Sequence, residues 1–311
     1  MSELFTTSLN IYRKTIKRVP ALHRVTHWVM SHSAIPLLES RQQFHTMKDD
    51  PFWFRLELLT GKHEVETMAQ VERLVEPGMV ILDVGAHVGY YTRRFTDLVG
   101  TAGRVLAFEP HPRIFATLQA NTANHTNVTP LQLAVAESEG TAELYDYLMM
   151  SASGSLHYDA DIAELQRAQT AVTDVAPRLR EDFTVQTFTV QTRTIDSVVQ
   201  ERGLTKVDFV KMDIEGAEMN ALLGMRETIQ RSPGLKLIME YNPQALKAFD
   251  YDPTATLHDV LALGFDRVQV IEASGVLTDI TGQTAKVSEL TERLMRHMDV
   301  VNLLFTKGEG A

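Results

Sequence analysis

From residue 79 onward, short runs rich in β-branched residues alternate with longer segments whose apolar positions recur at helical spacing. That alternation is the signature of a parallel sheet joined by crossover helices. The spacing predicts strands at 79–84, 104–109 and 128–135, with helices at 90–98 and 112–124 between them. The pattern breaks at predicted strands 141–147 and 185–192, which flank a long segment. It resumes with helix 195–202, strand 207–213, helix 217–230, strand 235–240 and helix 254–263, and strands at 267–271 and 300–305 close the sheet. A chain of 311 residues, 44% hydrophobic, can supply the core for one enlarged α/β domain or two small ones. It has no cysteine, which excludes disulfides, thiolate zinc sites and cysteine nucleophiles. No apolar run approaches the ~18 residues of a membrane span. The first residues lack the basic start and apolar stretch of a secretion signal, so the expectation is a soluble, cytoplasmic protein.

Charge separates the N-terminal arm from the rest. Residues 1–48 hold seven basic side chains (Arg13, Lys14, Lys17, Arg18, Arg24, Arg41, Lys48) against Glu3 and Glu39, a surplus of five positive charges. Because the total is −10, the remaining chain carries −15. Affinity for nucleic acid comes largely from neutralising phosphates with Lys and Arg, so nucleic acid is not expected as a partner. The apolar positions Leu9, Tyr12, Ile16 and Val19 recur at helical spacing until Pro20. The expected organisation is a basic helical arm over residues 1–60 and a main domain over 61–311. A basic amphipathic helix can touch an anionic membrane, but packing of its apolar stripe on protein is the favoured reading.

The most informative stretch is Ile81-Leu82-Asp83-Val84-Gly85-Ala86-His87-Val88-Gly89-Tyr90. An apolar strand ends in an acid, and two glycines then stand four apart at the opening of a helix. Glycine is required where the backbone turns sharply or something lies against it. The carboxyl end of a parallel strand is where open α/β sheets bind ligands. The dinucleotide fingerprint is G-x-G-x-x-G; here the spacing is Gly85-x-x-x-Gly89, and Asp83 would repel a pyrophosphate. S-adenosylmethionine carries an ammonium and a sulfonium and no phosphate, so an acid there is electrostatically suitable. Glu109 ends the next strand 24 residues after Gly85, near the offset of about 20 at which an acid receives ribose hydroxyls.

A second acidic stretch, Lys211-Met212-Asp213-Ile214-Glu215-Gly216-Ala217-Glu218, follows a buried strand. Lys211 and Asp213 are two apart and face one side of it, and a buried Lys needs such a partner. Glu215 and Glu218 are expected in the first turn of the next helix, where carboxylates suit the dipole. The following strand ends in Glu240, which adjacent strand ends bring near Asp213. Two or three oxygens suit magnesium or calcium, and the lack of a tight His cluster argues against zinc. Asp213 and Glu240 are therefore candidates both for a metal and for the general base, with His87 and His63 in reserve.

Together these residues resemble the FkbM family of S-adenosylmethionine-dependent methyltransferases. The matching stretches are 81–92, Ala107-Phe108-Glu109-Pro110-His111-Pro112 and, above all, 211–218, with Thr194-Ile195-Asp196 and Glu240 in support. The resemblance implies a Rossmann-like class I methyltransferase fold. This is a doubly wound, mostly parallel, seven-stranded sheet, to which this chain adds the N-terminal arm; the segment 148–182, a long excursion of the kind that often forms a lid, is expected as an inserted lid over the acceptor pocket. It implies methyl transfer to a hydroxyl of a sugar, glycan or polyketide-like acceptor, with Mg2+ as an open addition. Asp83, Gly85, Ala86, His87, Gly89, Glu109, Pro110, Ala134 and Asp213 are the expected cofactor residues. His63 stands where the family usually has Tyr, and His87 where Asn is common.

Three readings compete. An amino-methylating nucleic-acid enzyme resembles others of its class in an Asn/Asp-Pro-Pro-aromatic motif, where this chain has Asp213-Ile214-Glu215-Gly216. A nicotinamide oxidoreductase is opposed by the glycine spacing, and a non-catalytic cofactor-binding scaffold by the intact acids. The oligomeric state is open, a homodimer among the forms considered.

Overall fold

The computed structural model describes residues 19–147, 151, 154–158 and 185–308. The helix expected before Pro20, except Val19, and most of the 148–182 segment lie outside them. The chain divides into two compact units between Val65 and Glu66.

The first unit holds helices α1 (Pro20–Val29), α2 (Ile35–Gln42) and α3 (Phe52–Thr60), with a π-helical turn, Met30–Ala34, joining the first two. Left-handed residues, Gln43 and Gly61, end α2 and α3. The buried Arg55 binds Thr46 Oγ1 at 2.7 Å and Glu39 Oε1 at 3.2 Å, and Glu39 also receives the Thr46 amide. A charge inside this small unit is thus paired and hydrogen-bonded, as burial demands. His63 packs edge-on against Phe54, ring centroids 5.4 Å apart.

Helix α4 (Val65–Leu74) leads into the second unit. Its elements are β1 (Val80–Val84), α5 (Tyr90–Val99), β2 (Arg104–Phe108), α6 (Pro112–Thr122), β3 (Val128–Leu131), β4 (Ala134–Val135), β5 (Gly140–Asp146), β6 (Gln186–Arg193), α7 (Ile195–Glu201) and β7 (Phe209–Met212). There follow α8 (Glu218–Leu223), α9 (Arg226–Gln230), β8 (Lys236–Tyr241), α10 (Pro243–Ala248), α11 (Pro253–Ala262), β9 (Arg267–Ile271), β10 (Leu277–Asp279), α12 (Thr284–His297) and β11 (Val301–Thr306). The main sheet runs β10-β9-β11-β8-β7-β1-β2-β3, and β4-β6-β5 form a second, small sheet. Strands β3, β2, β1, β7 and β8 are parallel neighbours, while β11 is antiparallel to both β8 and β9. This is a Rossmann-like, mostly parallel sheet of seven strands, with β10 added at its edge as an antiparallel eighth.

The central strands are buried on both faces, which is why they read as continuous apolar runs. One face, with Leu82, Val84, Val210, Met212, Leu237 and Met239, packs on the helices after β6. The other, with Ile81, Phe209, Ile238 and Leu304, packs on Val71, Tyr91, Phe95 and Val99. Alternation continued to the strand ends therefore puts Asp83, Lys211, Asp213 and Glu240 on this second side.

Three expectations change in detail. Residues 128–135 form two strands in different sheets, because the chain leaves the main sheet after Leu131. Helix 217–230 is two helices, interrupted at Gly224, where an added Cβ would lie 2.2 Å from the Ala136 carbonyl oxygen. Glu215 precedes the helix instead of lying in its first turn. Among the described residues, no helix is long and apolar enough to cross a membrane.

Candidate active site

The loop after β1 is shaped by its neighbours. The amides of Gly85 and Ala86 both donate to the Phe108 carbonyl, at 3.0 and 2.9 Å, pinning the loop to the end of β2. Gly85 has φ +83°, and a Cβ there would stand 1.9 Å from the Asp213 carbonyl oxygen. The first glycine is thus needed because the β7 loop lies against it. Gly89, at φ +91°, caps α5, and a Cβ there would meet Leu118 at 2.9 Å. His87 between them is left-handed, φ 53°. Asn and His are among the residues enriched there, which accounts for the family's Asn and for a tolerated His.

Asp83 is enclosed, 1% exposed, and accepts a hydrogen bond from Thr92 Oγ1 at the start of α5. Burial pushes its carboxyl up to about 6, against the lowering by Thr92 and Lys211. Asp83 and Lys211 are register partners on β1 and β7. The buried Lys211 ammonium lies 3.2 Å from Asp213 Oδ2 and 5.3 Å from the Tyr91 ring centroid.

Glu109 sits beyond β2 with each carboxylate oxygen on a backbone amide, Oε2 on His87 at 3.0 Å and Oε1 on His111 at 2.8 Å. Burial raises its carboxyl to about 7 despite those bonds. A carboxylate oxygen has two acceptor sites, so this cradle fixes the orientation of Glu109 while using one site on each oxygen. Pro110 beside it is half-buried, and Ala134, buried, opens β4 as the partner of Thr192.

The loop after β7 gathers the other acids. Glu218 accepts the amides of Ile214 at 3.1 Å and Gly216 at 3.3 Å, so it clasps its own loop. Glu215 is left-handed, φ 53°, and burial followed by Asp213 and Glu218 raises it to about 8. Glu240, at the end of β8, is held well above the carboxylate range by burial, with Asp213 and Glu215 adding repulsion and Lys211 opposing them. The structure thus brings Asp83, Lys211, Asp213, Glu215 and Glu240 together electrostatically, while Glu109 and His87 share the neighbouring loop pair. His63 belongs to the first unit.

Sequence reasoning did not single out Thr92, Ser151 or the pair His111 and Asp146. Ser151 Oγ lies 2.5 Å from His87 Nε2, and His111 Nε2 lies 3.1 Å from Asp146 Oδ2. These contacts join residues 64 and 35 positions apart, which no local pattern signals.

Residues 83–266 match the family model of the methyltransferase FkbM domain, a span that contains every residue just described from β1 to β8. The chain belongs to this family. FkbM-type enzymes use S-adenosylmethionine. Similar curated proteins include the 2-O-methyltransferase NoeI of Sinorhizobium fredii, 28% identical over 183 residues, covering 57% of this chain and 68% of NoeI. The 31-O-demethyl-FK506 methyltransferase FkbM of Streptomyces tacrolimicus is 29% identical, covering 49% of this chain and 62% of that protein. The hexuronic acid methyltransferase AglP of Haloferax volcanii is 24% identical, covering 60% and 66%. The chain thus spans about two thirds of the length of these FkbM-type relatives.

Proposed function

We propose that this chain transfers the methyl group of S-adenosylmethionine to a hydroxyl oxygen of a sugar, glycan or polyketide-like acceptor. The observation that carries the reading is the crowding of Asp83, Asp213, Glu215 and Glu240 at the carboxyl ends of β1, β7 and β8, around the buried ammonium of Lys211. Burial first, and repulsion between these acids second, raise their carboxyls, and a sulfonium with an ammonium would favour their charged forms. The names of NoeI and FkbM specify transfer to oxygen, and that of AglP a sugar acid.

The residues present fit the cofactor. Glu109, preset by two amides, would take the ribose hydroxyls. The loop from Gly85 through Gly89, with Pro110 and Ala134, would line its nucleoside side, and Asp83 and Asp213 would face its positive groups. When bound, the cofactor supplies an electrophilic methyl on sulfur, and the protein supplies alignment and electrostatics. A neutral alcohol needs a proton acceptor as its oxygen attacks. Glu240 or Asp213 takes that proton in this scheme, and His87 is the reserve base. Burial, with Asp213 and Glu215 adding repulsion, holds the Glu240 carboxyl well above the carboxylate range, which makes it a stronger base than an ordinary carboxylate. Magnesium is the second reading. Mutual repulsion between Asp213 and Glu240 is what a divalent cation would relieve, and these two residues would hold it by their oxygens. We assign Ser151 to the acceptor side of the pocket, on the strength of its contact to His87.

Calorimetric titration with S-adenosylhomocysteine, with NAD in parallel and with EDTA or magnesium, tests the reading. Saturable binding of the homocysteine compound alone is expected; NAD binding in its place would overturn it. Dependence of turnover on magnesium, abolished by EDTA, would select the metal-assisted version. Deleting residues 148–182 should abolish transfer and leave S-adenosylhomocysteine affinity unchanged within about threefold; loss of both would remove the acceptor-side assignment.

A further inference from the structure

We propose that His111 and Asp146 form a buried positioning pair for Glu109, and thereby tune affinity for the ribose of the cofactor. The inference rests on the assignment of Glu109 to the ribose. His111 stands between Pro110 and Pro112 and has φ −70° and ψ 120°, the extended geometry that a following proline imposes. In that geometry its amide points at Glu109 Oε1, 2.8 Å away. The residue is 3% exposed and has both ring nitrogens engaged. Nδ1 accepts the Arg113 amide at 3.2 Å, capping α6, so the proton sits on Nε2 and is donated to Asp146 Oδ2. The ring also packs on Phe188, with centroids 4.6 Å apart.

Capping alone does not explain a histidine here. Asn, Asp or Ser caps a helix as well or better, and none of them also reaches a second partner across a ring. The second nitrogen ties the His111 backbone to the end of β5 in the small sheet, and Phe188 on β6 holds the ring from its side. Three independent contacts thus fix the residue whose amide aims one oxygen of Glu109. The consequence is specific: disturbing the pair should weaken the interaction that Glu109 makes and leave the rest of the cofactor site alone.

The test compares S-adenosylhomocysteine with its 2′,3′-dideoxy analogue, by calorimetry on the full chain. Glu109→Gln should weaken S-adenosylhomocysteine by about tenfold, the scale of a charged hydrogen bond, and the analogue by less than about twofold. His111→Asn keeps the cap and loses Asp146; it should lose about fivefold for S-adenosylhomocysteine and leave the analogue nearly unchanged. Asp146→Asn retains an acceptor oxygen and should stay near wild type, whereas Asp146→Leu should behave as His111→Asn does, and adding it to His111→Asn should cost nothing further. Equal losses for both ligands in His111→Asn and Asp146→Leu would make the pair merely structural and overturn the inference. If Glu109→Gln shows no ribose selectivity, the ribose assignment falls, and the inference with it. Should His111→Asn fail to fold, the Asp146 variants decide alone.

Discussion

Glu109, buried, and Glu240, half-buried, both stand at the carboxyl ends of parallel strands, yet they are held in opposite ways. Glu109 is fastened by two amides that arrive from different loops, and its orientation is complete without a ligand. Glu240 stands among like charges, with Asp213 and Glu215 raising its carboxyl and Lys211 in opposition. An acid built to bind a fixed group benefits from backbone donors, which cost no reorganisation. An acid built to accept a proton benefits from neighbours that disfavour its charge. Under the proposed function, the contrast divides the site into a recognition end at β2 and a reactive end at β7 and β8.

The sharpest way to break that division is Glu240→Gln. With Glu240 as the proposed proton acceptor, the substitution should lower kcat by about 10²–10⁴, while S-adenosylhomocysteine affinity stays within about threefold. Full turnover in this variant, with loss in His87→Gln, would move the base to the other end of the crevice. Loss of cofactor affinity in step with turnover would erase the distinction between the two ends.

Gly85→Ala tests what joins the ends. Its backbone lies in the left-handed region, and a Cβ would press on the carbonyl oxygen of Asp213, which belongs to the reactive loop. Backbone offers no rotamer by which to yield. The substitution should cost about 3–5 kcal/mol, seen as a fall in Tm of about 10 °C, whereas Gly61→Ala, which meets nothing within 4 Å, should cost much less. Equal effects at the two glycines would mean that the loops do not depend on each other.

The recognition end was the more legible in sequence. The order of strand, acid, glycine pair and helix announced the loop after β1, and the spacing to Glu109 announced its neighbour, because both follow from local backbone requirements. What stayed hidden depends on contacts made at long range. Residues 128–135 read as one strand because apolar patterning is blind to a chain that changes sheets after Leu131. Gly224 interrupts a helix for the sake of the Ala136 carbonyl, and His111 serves Asp146, partners whose proximity only the assembled fold creates. Strand β10, three residues long, and helix α12 went unread, the first because it is too short to show a period.

Glu218 allows a finer division, since it is amide-held like Glu109 but opens α8 beside the crowded loop. Burial leads the causes that lift its carboxyl from 4.5 to about 7, and Asp213 adds to the rise. A carboxyl raised on folding binds more protons in the native state than in the unfolded one. Its stabilising contribution is therefore complete below about pH 4.5 and is lost as pH rises through about 7. Glu218→Gln keeps an oxygen for the Ile214 and Gly216 amides and removes the ionised form. The Tm of the variant relative to wild type should therefore rise between pH 5 and pH 8, by about 2–6 °C. A flat difference would show that the two amides alone suffice for the ionised carboxylate, and that the repulsion assigned to the reactive end is not felt by Glu218. Saturating S-adenosylhomocysteine, whose ammonium adds positive charge, should shrink that rise if the repulsion is what the cofactor relieves.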